Sequence, residues 1–167
     1  MTLKHPIHVL FLSTHNSARS ILAEAILNEL GQGQFKAYSA GSTVTTEQRP
    51  HPLALEELSR AGLSTQGLAS KRWDVFAQAN APHMDLIITV CDDAANEVCP
   101  VWPGHPASAH WGYADPMKAP GGERHQRESF KRTLMLLRER LEHLVSLPST
   151  GIDRLVLAAH ARELAQR

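Results

Sequence analysis

Eight consecutive residues near the amino terminus, Ser13-Thr14-His15-Asn16-Ser17-Ala18-Arg19-Ser20, gather hydroxyl, amide and imidazole groups around a single guanidinium. An apolar run, His8 to Leu12, comes directly before them, and a run of good helix formers follows. A compact loop between a strand and a helix N-terminus aims successive backbone N–H groups inward, and the helix dipole adds its positive end. Such a place favours an anion. Arg19 supplies a planar fork that pairs two oxygens of a tetrahedral oxyanion. The loop has neither the glycines nor the lysine of a nucleotide-binding P-loop, so the reading is a phosphate-sized oxyanion rather than a nucleotide. The competing interpretation is an ordinary helix start, with Ser17 or Ser20 as N-cap and Arg19 exposed. Position and spacing favour the cradle.

The second chemical feature is sulfur. The chain has two cysteines, Cys91 and Cys99, and in a reducing compartment a close pair is redox-active or metal-binding rather than a static staple. Either one alone would read as a small buried hydrophobe. Zinc held by the cysteines with His105 and His110 is disfavoured, because the seven-residue gap between the cysteines is not the short knuckle of structural sites. His51 and His83 read as surface or satisfied residues rather than ligands.

These residues need a scaffold. His8 to Leu12 shows no alternation, which suits a central parallel strand buried on both faces. Ser20 to Leu30 is apolar nearly all round, as in a well-buried helix, and Gly31 and Gly33 end it. Phe35 to Ala40 predicts a second strand, Pro50 to Ala61 a helix closed by Gly62, and Asp85 to Cys91 a third strand. Ala107 to Trp111 predicts a short fourth strand. Asp115 to Gly122 predicts a loop. Phe130, Leu134, Leu137, Leu141 and Leu144 form the stripe of a long amphipathic helix, and Asp153 to Leu164 a last one. The alternation predicts an α/β three-layer sandwich: a central four-stranded parallel sheet with helices on both faces and a ligand site outside the carboxyl ends of the strands.

With 167 residues, 43% of them hydrophobic and 20% charged, the chain is the size of one domain, expected to span 1–167 with a C-terminal helical extension from about 149. Seventeen basic and 17 acidic residues cancel, which speaks against nucleic-acid and membrane-surface partners. The longest apolar stretches are strand-length and no signal pattern opens the chain, so a cytoplasmic protein is expected.

A nucleophile position, five residues and an arginine after a buried strand resembles the loop of the low-molecular-weight tyrosine phosphatases and related arsenate reductases, which carry cysteine where this chain has Ser13. The wording Thr14-His15-Asn16-Ser17-Ala18-Arg19-Ser20 is closer to the reductase branch. Further matches are Ser39-Ala40-Gly41, Val90-Cys91, Cys99-Pro100-Val101-Trp102-Pro103-Gly104, His110-Trp111-Gly112 and Asp115-Pro116. The resemblance implies a low-molecular-weight tyrosine phosphatase-like fold and residues 13 to 20 as the oxyanion-binding loop. Ser13 then stands at the nucleophile position and Arg19 is the oxyanion clamp. Asn16 holds the loop in shape, Ser20 hydrogen-bonds the nucleophile, and Asp115 is the acid over the loop. It also implies a relay in which Cys91 and then Cys99 carry oxidation outward to a thioredoxin-like reductant, and it offers Asn16 and Glu24 to a potassium ion. If Asp92 or Asp93 caps a helix to Val98, a rise of about 1.5 Å per residue separates Cys91 and Cys99 by roughly 12 Å. A disulfide needs Cα atoms within about 7 Å, so that helix must unwind or bend on oxidation.

Serine cannot repeat the chemistry of a thiolate. Its hydroxyl stays protonated without a base, and an alcohol cannot form the disulfide through which two electrons reach arsenic. The chain is therefore expected to bind arsenate or phosphate and to fail as a reductase. The serine fits either a substitution that traps the protein or the native residue of a non-catalytic oxyanion binder. Phosphoester hydrolysis with Asp115 as general acid is the alternative activity.

Overall fold

The computed structural model describes residues 2–91, 102–148 and 152–167. Four strands, β1 (Ile7–Ser13), β2 (Phe35–Gly41), β3 (Leu86–Thr89) and β4 (Ala107–His110), form one sheet in the order β2-β1-β3-β4. Every neighbouring pair is parallel. The helices among the described residues are α1 (Arg19–Leu30), α2 (Pro52–Arg60), α3 (Gly122–Val145) and α4 (Arg154–Leu164), with short 3-10 turns at Trp73–Ala77 and Pro116–Lys118. This is the expected α/β sheet with helices.

The unbroken apolar run of β1 is explained by its central place. Val9 and Phe11 face one core, which also takes the buried sides of all four α-helices. Leu10 and Leu12 face the other, against Trp73, Phe76 and Met84, so the helical turn at Trp73–Ala77 covers that side. All four of these β1 side chains are fully buried, each worth about 1.5–3 kcal/mol relative to exposure. In α1, Ile21, Leu22, Ala23, Ala25, Ile26 and Leu27 are all buried, which explains why no single apolar stripe was visible. The helix ends where Gly31 donates its N–H to Leu27 O. A Cβ at Gly31 would stand 2.8 Å from Phe35 Cβ, so only glycine lets β2 begin this close behind the helix.

Some boundaries differ from expectation for local reasons. The third strand stops at Thr89; Val90 and Cys91 follow it, both buried, and Val90 N still donates to Leu12 O of β1 at 2.9 Å. α3 begins at Gly122, some two turns before its apolar stripe, because its first residues are polar and carry no periodic signal. The segment read as a loop from Asp115 to Gly122 contains a 3-10 turn, started by Asp115 Oδ1 accepting from Met117 N at 2.9 Å. The predicted helix between Asp92 and Val98, Cys99 and the start of the helical extension near 149 lie outside the described residues.

The strand order sets the position of the site. Chain order reverses beside β1, with β2 on one flank and β3 on the other. The segments following β1, β2, β3 and β4 therefore emerge at one edge of the sheet, the place where open α/β sheets bind ligands.

Candidate oxyanion site

Residues 13 to 20 turn from β1 into α1 at that edge, and the loop is fastened on several sides. Ser42 N donates to Ser13 O at 3.1 Å and Thr43 N to Thr14 O at 2.8 Å, so the chain leaving β2 continues the hydrogen-bond ladder past the strand ends. Gly41 is required at this seam: a Cβ there would lie 2.6 Å from Thr14 O and 2.7 Å from Val44 Cγ2. Asn16 is fully buried in the left-handed region, at φ 51°, a conformation asparagine tolerates better than most residues. Its Nδ2 donates to Ser20 Oγ at 2.8 Å and its Oδ1 accepts from Lys71 N at 2.8 Å. Its carbonyl accepts from Ser70 Oγ at 2.6 Å. On a further side, His51 N donates to Ser17 O at 2.8 Å while the His51 ring stacks on Phe130, linking the loop to α2 and α3. Burial pushes the His51 imidazole below its usual range, and the charge of Asp115 opposes that shift.

The helix-cap interpretation of the serines does not hold. The N-cap of α1 is Ala18, with no side-chain cap, and the Ser20 hydroxyl is engaged elsewhere. Ser20 Oγ lies 2.7 Å from Ser13 Oγ, which also accepts from Asn16 N at 3.1 Å. The backbone N–H groups of His15, Ser17 and Ala18 have no hydrogen-bond partner among the described residues. Ser13, His15 to Arg19, Asp115 and Met117 line a cavity of about 20 Å³, the scale of a solvent molecule or compact anion and too small for a nucleoside.

Arg19 reaches across this cavity. Its Nη1 donates to Tyr113 O at 2.8 Å, and Nη2 stands 3.7 Å from Asp115 Oδ2. Asp115 holds the turn with one oxygen and faces Arg19 with the other. His15 turns the opposite way. Its Nδ1 donates to Thr43 O at 3.0 Å, so that nitrogen is not a base for Ser13. Cys91 is buried, with Sγ 3.4 Å from Thr14 Oγ1. The parallel pairing of β1 with β3, as expected of neighbouring strands in such a sheet, brings Cys91 beside the loop.

The structure therefore brings together Ser13, Thr14, Asn16, Ser17, Ala18, Arg19, Ser20, Cys91 and Asp115, keeps His15 at the margin, and leaves Cys99 undescribed. Sequence reasoning missed Ser70, Lys71 and the carbonyl of Tyr113. Glu24 accepts from Ser39 Oγ and faces Lys71 Nζ at 3.9 Å. Among the described residues no cluster of histidine, cysteine and carboxylate groups is arranged to hold a metal, and no helix is long and apolar enough to cross a membrane.

Comparison with known proteins agrees with this geometry. An arsenate reductase of Bacillus subtilis is 34% identical over 124 residues, covering 74% of this chain and 84% of that protein. A solved arsenate reductase in its phosphate-binding state superposes with a TM-score of 0.67 at 26% identity, over 84% of this chain and 97% of that one. A thioredoxin-dependent arsenate reductase of Corynebacterium glutamicum superposes with a TM-score of 0.56 at 29% identity, over 82% of this chain and 61% of that one. Residues 8–155 match the low molecular weight phosphotyrosine protein phosphatase family, and the chain belongs to that family.

Proposed function

We propose that this protein is an arsenate reductase scaffold of the thiol-relay type, with Ser13 standing where the relay needs its first sulfur. The observation that carries the reading is the placement of Cys91 Sγ 3.4 Å from Thr14 Oγ1, a second sulfur against the wall of an oxyanion-sized loop. Hydrolysis of a phosphoester has no use for it. Support comes also from Ser13 Oγ, which accepts from Asn16 N and has the Ser20 hydroxyl at 2.7 Å. Donors converging on that atom favour an anion there and would lower the pKa of a thiol.

With a thiolate at position 13, the chemistry runs in balanced steps. The thiolate displaces a protonated oxygen of arsenate as water, forming an arsenic–sulfur bond, with Asp115 the candidate proton donor and Arg19 holding the remaining oxygens. Cys91 as thiolate then attacks the sulfur at position 13. A disulfide forms, the arsenic–sulfur bond breaks, and its electron pair leaves on arsenic as arsenite. Cys99 attacks Cys91 to move the disulfide outward, where an external dithiol of the thioredoxin class reduces it. The proposal takes 1–167 as a single domain working in the cytoplasm. In the Ser13 form the first step lacks its nucleophile, and the loop binds arsenate or phosphate without turnover.

Ser13→Cys tests this directly. With a thioredoxin system the restored chain is expected to release arsenite, and adding Cys91→Ser should abolish that release. Hydrolysis of an aryl phosphate without any arsenite would instead favour the phosphatase reading, for which the position of Asp115 facing Arg19 is the supporting observation.

A further inference from the structure

Behind the oxyanion loop, on the side away from the cavity, lies a second polar cluster. Glu24 projects from the second turn of α1 and is largely buried, with a side chain 14% exposed. Its Oε1 accepts from Ser39 Oγ of β2. Burial pushes the Glu24 carboxyl above its usual range, opposed by the Ser39 hydrogen bond and the charge of Lys71. A carboxylate in such a place needs a counter-charge. Lys71 supplies it: Nζ stands 3.9 Å from Glu24 Oε1 and donates to Ala69 O at 2.6 Å. Burial pushes the Lys71 ammonium down, and Glu24 opposes that shift.

The same residue is tied to the loop through its backbone. Lys71 N donates to Asn16 Oδ1, and Lys71 O accepts from Gly41 N at 2.8 Å. One residue thus joins α1, β2 and the loop, with its charge at one end and its peptide at the other. Among the oxygens that the family resemblance offers to potassium, Asn16 Oδ1 accepts from a peptide N–H, and Glu24 Oε1 accepts from a hydroxyl with the Lys71 ammonium already standing 3.9 Å from it. These residues do not fit the ion as they stand.

We propose that Lys71 is a built-in cation, a positioning residue whose ammonium balances Glu24 and thereby holds Asn16 and the oxyanion loop in their binding geometry without an alkali metal. The inference rests on the reading of residues 13 to 20 as an oxyanion loop. If the ammonium is removed, a carboxylate, a carbonyl and a hydroxyl remain around the vacated volume. Such a set of hard oxygen donors suits a monovalent cation.

The test is phosphate affinity, measured by calorimetry at equal ionic strength in potassium, sodium and choline chloride, on the chain with Ser13 and on its Lys71→Met variant. The parent should bind phosphate equally in all three salts. Lys71→Met should bind about tenfold more weakly in choline chloride, a change of about 1.4 kcal/mol, and regain most of that loss in potassium chloride. Lys71→Arg should bind like the parent without potassium. A parent that itself needs potassium, or a Lys71→Met variant that binds like the parent in choline chloride, would overturn the inference while leaving the oxyanion loop intact. An equal loss in all three salts, shared by Lys71→Arg, would overturn it too, since that marks general damage. Absence of phosphate binding by the parent removes the loop reading and this inference with it. If Lys71→Met fails to fold, Lys71→Gln takes its place, judged by the same salt comparison.

Discussion

The two sides of the oxyanion loop differ in how completely their polar groups are used. On the rear side Asn16 alone takes part in four hydrogen bonds that join Ser13, Ser20, Ser70 and Lys71, and Glu24, Ser39 and Lys71 complete the cluster. On the cavity side the N–H groups of His15, Ser17 and Ala18 have no partner among the described residues, and Arg19 makes one hydrogen bond and one longer approach to Asp115. The contrast separates the cost of building a loop from the work it does. Buried polar groups that satisfy one another hold the backbone in place, so groups on the other side remain available to an anion already aimed at it.

Breaking the rear side should have the largest effect. Asn16→Ala strands the N–H of Lys71 and forces alanine into the left-handed region, and a loss of roughly 3 kcal/mol of stability is expected, read as a lowered urea midpoint at unchanged slope. Phosphate binding should fall with it. Breaking the cavity side should divide the two properties. Arg19→Ala removes the charged fork, and phosphate affinity is expected to fall by roughly 100-fold while the urea midpoint changes little, consistent with about 1.5–3 kcal/mol for hydrogen bonds to charged groups. If both variants lost stability and binding in equal proportion, the division between the two sides would be wrong. The smallest effect belongs to His51, which props the loop from α2. Its folded pKa is depressed, so the unfolded chain binds the proton more readily, and its contribution is complete above about pH 6.5 and declines as pH falls through the folded value. His51→Gln should flatten that part of the stability profile between about pH 5 and 7. An unchanged profile would show that the His51 imidazole does not contribute to the pH dependence of stability.

The legible parts of the molecule were those written in local pattern. The unalternated run of β1, the helix-forming stretch of α1 and the stripe from Phe130 to Leu144 each carry their environment in adjacent residues, and a parallel sheet is expected once strands and helices alternate. The loop was legible because its chemistry occupies consecutive positions. Lys71 was not, since it reaches Asn16 and Glu24 from a connection with no periodicity, and nothing in its neighbours distinguishes it from a solvated surface lysine. The turn at Trp73–Ala77 was missed because five residues are too few to show a helical period, although Trp73 and Phe76 pack against one face of the sheet with Met84. Asp115 shows a third case: one carboxylate oxygen starts the turn at Pro116 and the other faces Arg19, a double placement that the residue type alone does not reveal.

The pairing of Ser42 and Thr43 with the carbonyls of Ser13 and Thr14 has a mechanical consequence. Most connections between elements ride on the surface and fluctuate independently of the framework. Here the binding segment is stitched to its neighbour strand's extension, so a displacement of either is transmitted to the other. Its stiffness is that of a woven fabric rather than of a free cord, and it can yield only when the seam with β2 opens.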